Sequence, residues 1–137
     1  MIEAIVGLKG SGKTSRIVDE INRISHADDT NVVCIEYGKR FNQHIPYQVR
    51  LIDITEYPVE NYRELLTFIA GVSAQDHDIT HVYIDSLYKI ANSKDLAELE
   101  EFFDDLDKMT KSMSAKFMIT ISDDPEKMPD NIKAVIR

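Results

Sequence analysis

The chain has 137 residues, of which 43% are hydrophobic, and its 24 acidic residues against 16 Lys and Arg give a formal net charge of −8. This composition predicts one compact domain over residues 1–137, with enough core to exclude disorder. The acidic balance and the scattered basic residues argue against a nucleic-acid-binding surface on the monomer, and no apolar run approaches the ~20 residues that span a bilayer.

Two further features indicate where the protein works. Cys34 is the only cysteine, which excludes an intramolecular disulfide and a cysteine-based metal cluster, and its apolar surroundings predict a buried thiol. The first residues lack the basic and long apolar stretches of a signal peptide. We therefore expect a cytoplasmic protein without membrane contact.

The first half of the chain alternates between strand-like and helix-like segments. Residues 2–6 are a short apolar run that predicts a strand, and residues 14–24 place apolar side chains on one helical face. Residues 31–37 are apolar and β-branched, which predicts a second strand. Residues 38–47 contain Pro46 and show no period, so they predict a surface loop, and the alternation in residues 48–54 predicts a third strand.

The second half continues the alternation. A helix is expected to open at Pro58, and residues 81–85 predict a buried strand that ends in an acid. The clearest helix begins after Asp95, which can cap it, and carries an apolar stripe opposite a solvated acidic face. Residues 116–121 predict another buried strand.

Residues 132–137 complete the series as a predicted edge strand. Strands that alternate with helices form parallel sheets covered on both faces. The sequence therefore predicts an α/β fold with a single three-layer α/β/α domain and a mostly parallel sheet. Such sheets bind ligands at the carboxyl ends of their strands, which is where the polar candidates described next fall.

The most specific motif is the segment 7–14, Gly-Leu-Lys-Gly-Ser-Gly-Lys-Thr, which fits the pattern G-x-x-x-x-G-K-[ST] between a predicted strand and a predicted helix. Gly7, Gly10 and Gly12 would allow positive φ and turn backbone N–H groups inward as an anion nest. The helix that begins near Lys13 adds its dipole. This pattern predicts a P-loop (Walker A motif) that binds a nucleoside triphosphate, with ATP and Mg²⁺ as the expected ligands.

Side chains of the same segment have distinct expected roles. Lys13 supplies a point charge for the β- and γ-phosphates, and the Thr14 hydroxyl can ligate Mg²⁺. Lys9 and Ser11 occupy variable positions, with Lys9 expected to face solvent or to reach a phosphate. Ser15 follows in the first helical turn and completes the predicted nucleotide-binding set.

Three polar residues at strand ends are candidates for the rest of the site. Asp85 is expected to hold Mg²⁺ through a water opposite Thr14, and Ser86, rather than a water-activating Glu, follows it. Glu36 ends its strand and is the candidate base, although it could simply leave the strand for solvent. Ser122 could sense the γ-phosphate or be an ordinary strand end.

The order of these features resembles the RecA-like ATPases, and within them the KaiC-like branch. The shared features are the glycine-rich loop, an acid-terminated second strand, Ile-Asp-Ser-Leu after an apolar strand, a long helix, and an apolar strand that ends in serine. The resemblance implies a central strand before the glycine-rich loop. It also implies ATP binding by Gly10, Gly12, Lys13 and Thr14, Mg²⁺ binding by Thr14 and Asp85, and Glu36 as the water-activating base.

In that family a basic residue from an adjacent subunit often completes the site. Lys133 and Arg137 could play this part, although a terminal charge on an edge strand is the plainer interpretation. We expect little room for a DNA-binding loop, which agrees with the acidity of the chain. The expected partners are the triphosphate itself and a second copy of the chain or another protein.

Three functions remain open at this point. The first is a slow Mg²⁺-dependent ATPase that self-assembly or a partner activates. The second is an ATP-sensing module without turnover, which the absence of a Glu after Asp85 favours. The third is a small-molecule or nucleotide kinase, for which Arg40 and Arg50 are the arginine candidates in the region of the second and third strands.

Overall fold

The computed structural model describes residues 1–41 and 43–137, so Asn42, within the predicted loop 38–47, lies outside the described residues. The strands are β1 (Ile2–Gly7), β2 (Val32–Glu36), β3 (Arg50–Asp53), β4 (His81–Ile84) and β5 (Lys116–Ser122). The helices are α1 (Lys13–Ile24), α2 (Tyr62–Gln75), α3 (Leu87–Ala91), α4 (Leu96–Thr110) and α5 (Asp130–Lys133). Short 3₁₀ turns occupy Ile54–Glu56 and Pro125–Lys127.

The predicted α/β class is confirmed. All four strand pairings are parallel and join the strands into a five-stranded sheet in the order β1-β5-β4-β2-β3. No helix in the described ranges is long and apolar enough to cross a membrane.

The expectation that the strand before the glycine-rich loop lies in the middle of the sheet is wrong. Within the described residues β1 is an edge strand, flanked by β5 on one side and by a single bridge from Ala4 to Ile136 on the other. The predicted strand 132–137 is also wrong for most of its length. The Pro129 carbonyl accepts hydrogen bonds from the N–H groups of Ile132 and Lys133, so this segment begins as α5 and leaves only its last residues beside β1.

Successive side chains of the strands point to opposite faces of the sheet, and helices cover both. One face packs on α1 through a cluster that includes Ile17, Ile21 and the buried Cys34. The other face packs on a larger cluster drawn from α2, α3, α4 and α5. This arrangement is compatible with the expected three layers.

Capping residues set the starts of the two longest helices. The Asp95 carboxylate accepts a hydrogen bond from the Glu98 N–H at 3.0 Å, as predicted for α4. The α2 helix begins later than Pro58 because the Asn61 side chain caps it, accepting from the Glu64 N–H at 2.8 Å. The short helix α3 has no counterpart in the predictions.

Candidate functional site

The glycine-rich loop, residues 7–14, connects β1 to α1 at the carboxyl edge of the sheet. Gly10 and Gly12 have φ angles of 86° and 88°, a region that side chains other than glycine rarely adopt. Gly12 is the N-cap of α1 and provides no side-chain hydrogen bond to the first turn of the helix. The first N–H groups of α1 are therefore available to a ligand at the positive end of the helix dipole.

Gly7 serves the loop in a different way from the one expected. It lies within β1 and, unlike Gly10 and Gly12, is not among the positive-φ glycines. A Cβ atom at this position would lie 2.5 Å from the Ser11 Oγ and 3.3 Å from the Ser11 Cβ, so a side chain there would require the exposed Ser11 side chain to shift. Any preference for glycine at position 7 therefore comes from the close approach of Ser11 and not from the backbone conformation.

The Lys13 side chain folds back over this loop. It is buried, and its Nζ donates a hydrogen bond to the Leu8 carbonyl at 3.1 Å. Burial lowers the pKa of Lys13, and the nearby Asp85 carboxylate opposes part of that shift. The ammonium group is thus positioned within the curve of the loop.

The two expected metal ligands lie close together although they are 71 residues apart in the chain. The Thr14 Oγ1 lies 3.4 Å from each carboxylate oxygen of Asp85. This distance is longer than an ordinary hydroxyl–carboxylate hydrogen bond. The Asp85 side chain is only 2% exposed, so its carboxylate faces the loop rather than open solvent.

Thr120 holds this carboxylate in place, and the sequence analysis missed it. Its hydroxyl donates to the Asp85 Oδ1 at 2.7 Å and accepts from the Ser86 N–H at 2.8 Å. Ser86 itself has a φ of 68°, a strained conformation of the kind that occurs at functional sites. The sequence held one signal for this role, since Thr120 is the only residue with a hydroxyl in the apolar run Phe117–Ile121.

Neighbouring strands place four polar side chains in one row. Glu36 of β2 lies beside Asp53 of β3 in the register of the sheet. Asp85 lies beside Glu36, and Thr120 beside Asp85, because in each case the residues just before them are paired across neighbouring strands. Alternation along each strand points all four toward the face that α1 covers. Strand order then gives the row Thr120, Asp85, Glu36, Asp53.

Glu36 is buried and bonded to the loop that follows its own strand. Its Oε1 accepts hydrogen bonds from the backbone N–H groups of Arg40 at 2.8 Å and Phe41 at 3.1 Å. Burial raises the pKa of Glu36, and these two hydrogen bonds oppose the shift. The side chain therefore does not leave the strand for solvent, and it has a structural role that its sequence position did not reveal.

Arg40 brings a positive charge to the site. Its Nη1 lies 4.0 Å from the Asp85 Oδ2, and its side chain is 49% exposed. A cavity of about 290 Å³ opens beside it, lined by Arg40, Thr14, Ser15 and residues of α1 and the loop after β2. Arg50, the other basic candidate, begins β3 and so lies at the opposite end of the strand from this site.

The remaining candidates lie at varied distances from this centre. Lys9, Ser11 and Ser15 are exposed on the loop and the first turn of α1, and Ser122 is exposed at the end of β5. Arg137 forms ion pairs with Glu20 and Glu3 of its own chain, which gives it an intramolecular role. Lys133 is exposed on α5.

Neither protein-family models nor curated proteins give a match to this chain. Among the residues that the structure describes, no cluster of three or more His, Cys, Asp or Glu side chains is arranged to hold a metal ion. The candidate site therefore consists of the glycine-rich loop, Lys13 and the Thr14–Asp85 pair.

Proposed function

We propose that the chain is a RecA-like P-loop protein that binds a nucleoside triphosphate, ATP in the first instance, with Mg²⁺ and hydrolyses it slowly. The observation that carries the proposal is the convergence of Thr14 and Asp85, with Oγ1 at 3.4 Å from both carboxylate oxygens, beside a loop with two positive-φ glycines. A hydroxyl and one carboxylate suit Mg²⁺, which keeps several waters and takes its other ligands from phosphates.

The residues present fit such a ligand. The turn at Gly10 and Gly12 is open, since a Cβ at either position would meet no atom within 4 Å, so the backbone can be approached closely. The first N–H groups of α1 and the Lys13 ammonium would bind the phosphates. Thr14 and Asp85 would hold Mg²⁺, which supplies charge neutralisation on the phosphate oxygens when bound.

Glu36 is the residue we assign to activating water. It lies next to Asp85 in the row of strand ends, and its raised pKa brings it closer to the range that suits a general base. Its hydrogen bonds to the loop N–H groups fix the carboxylate in one position. We also propose that self-assembly or a protein partner activates this hydrolysis and that the protein works in the cytoplasm.

A second candidate is an ATP-sensing module that does not turn over. The observation that favours it is the use of the Glu36 Oε1 by two backbone N–H groups, which commits this oxygen to the loop. In that case nucleotide binding would alter the loop after β2, and the nucleotide would not be hydrolysed. A kinase has less support, because Arg50 lies away from the candidate site.

Phosphate release separates these functions. We expect slow steady-state hydrolysis of MgATP by the wild type, none by Lys13→Ala, and a loss of about 10²–10⁴-fold for Glu36→Gln with nucleotide binding retained. Circular dichroism should confirm that both variants fold. If Glu36→Gln turns over like the wild type, Glu36 is not the base. If the wild type binds MgATP but releases no more phosphate than Lys13→Ala, the sensing module is the better description.

A further inference from the structure

Asp85 is a buried carboxylate whose closest partners are hydroxyl groups. Thr120 donates to it at 2.7 Å, Ser86 at 3.3 Å and Thr14 at 3.4 Å. Hydroxyls carry no charge, and a buried anion is costly without a cation nearby. The Lys13 ammonium acts on Asp85 from nearby, but its Nζ donates to the Leu8 carbonyl and, among the described residues, it forms no ion pair with Asp85 within 4.0 Å.

Arg40 is the basic residue that reaches Asp85. In the described part of the chain it is the single side chain that forms an ion pair with this carboxylate, at 4.0 Å. The pair is unequal, since the Asp85 side chain is 2% exposed and the Arg40 side chain 49%. The anion is therefore fixed in the protein, while the cation lies at the edge of solvent and can move.

Two hydrogen bonds to carboxylates fix the backbone of the loop that carries Arg40. Its own N–H donates to the Glu36 Oε1 at 2.8 Å, and the N–H of Gly38 donates to the Asp53 Oδ1 at 2.9 Å. Gly38 has a φ of 89°, which turns the chain sharply after β2. These contacts hold the base of the Arg40 side chain beside the row of strand ends, while about half of the side chain remains exposed to solvent.

Arg40 also borders a cavity that reaches the start of α1, next to the glycine-rich loop. Arg40 lines the same cavity of about 290 Å³ as Thr14 and Ser15, which follow Lys13 at the start of α1. A guanidinium matches phosphate oxygens as well as it matches a carboxylate. One cation therefore has two anionic partners within reach, one permanent and one that arrives with the nucleotide.

We propose that Arg40 is a resident counter-ion of Asp85 that competes with the divalent cation and transfers to the triphosphate when the cation takes its place. This inference rests on the proposed function, and it concerns the triphosphate-binding site itself. It predicts effects of opposite sign when Arg40 is removed. Binding of a divalent cation alone should improve, whereas binding of the metal–nucleotide complex should weaken.

Two titrations test the signs. Mn²⁺ alone is titrated against the full chain by electron paramagnetic resonance, and MgATP is titrated by calorimetry. Arg40→Ala should bind Mn²⁺ about two- to fivefold more tightly, in keeping with the loss of a half-exposed ion pair. The same variant should bind MgATP about tenfold more weakly, because a charge-assisted phosphate contact is lost.

Lys39→Ala is the matched control. Lys39 precedes Arg40 on the same loop and carries the same charge, but its ion pair at 3.6 Å is with Glu56. This variant should leave both affinities at the wild-type level, which separates the local role of Arg40 from a change in net charge. Equal shifts in Lys39→Ala and Arg40→Ala would overturn the proposal.

Unchanged or weaker Mn²⁺ binding by Arg40→Ala would also overturn the proposal, as would unchanged MgATP binding by this variant.

Failure of the proposed function would give different results from failure of this inference. If MgATP does not bind, or binds equally to the wild type and Lys13→Ala, the proposed site is wrong and this inference falls with it. Nucleotide binding that depends on Lys13 but not on Arg40 overturns this inference alone.

Discussion

Thr120 lies in the interior of a buried strand, yet both hydrogen-bonding capacities of its hydroxyl are used. The hydroxyl donates a hydrogen bond to the Asp85 carboxylate and accepts one from the Ser86 N–H. The residue thereby fixes the candidate metal ligand and the strained turn that follows it. Sequence reasoning could identify Asp85 because a carboxylate at a strand end has a known use, but it could not pair Thr120 with Asp85 before the strand order was known.

Replacing this hydroxyl should cost stability. Thr120→Val keeps the shape of the side chain but leaves the Ser86 N–H without its acceptor, so we expect the free energy of unfolding to fall by about 1–3 kcal/mol in urea titrations. Thr120→Ser keeps the hydroxyl and should lose only the contribution of a methyl group, about 1 kcal/mol. A Thr120→Val protein as stable as the wild type would show that these hydrogen bonds contribute little.

At the scale of elements, β2 and the loop after it form one unit. Glu36 ends the strand, and its carboxylate holds the backbone of Arg40 and Phe41. Phe41 in turn is 2% exposed and packs into the cluster beneath α1. The sequence predicted the strand and the loop separately, because the side-chain contact that joins them has no periodic signature.

This unit should depend on an acceptor at position 36 rather than on its charge. Glu36→Ala leaves two N–H groups without their acceptor, and we expect the free energy of unfolding to fall by about 1–3 kcal/mol. Glu36→Gln retains an oxygen at the same place and should stay close to the wild type. Chemical unfolding of the two variants side by side measures the difference, and equal losses would rule out this role for the acceptor.

At the scale of the whole molecule, the five strands and the three long helices follow from hydrophobic patterns along the chain, and the position of the glycine-rich loop follows from its motif. Those patterns are local, whereas strand order depends on which faces pack together after folding. For this reason the prediction of a central position for β1 is wrong, since β1 lies at the edge of the sheet. The short helices α3 and α5 were not predicted because they are too brief to show a helical period. A motif predicts candidate site residues such as Lys13 and Thr14, whereas the contacts of Thr120 and Arg40 with Asp85 are long-range and have no motif.

The proposed function rests on one physical claim, that the loop and the Thr14–Asp85 pair together bind a triphosphate through Mg²⁺. Calorimetric titration of a non-hydrolysable ATP analogue, with Mg²⁺ and with EDTA, tests it most directly in the wild type, Lys13→Ala and Asp85→Asn. We expect wild-type affinity to fall at least about tenfold without Mg²⁺, Lys13→Ala to lose binding, and Asp85→Asn to lose the Mg²⁺ dependence. Equal affinity of the wild type and Lys13→Ala, or no binding by the wild type, would contradict the claim.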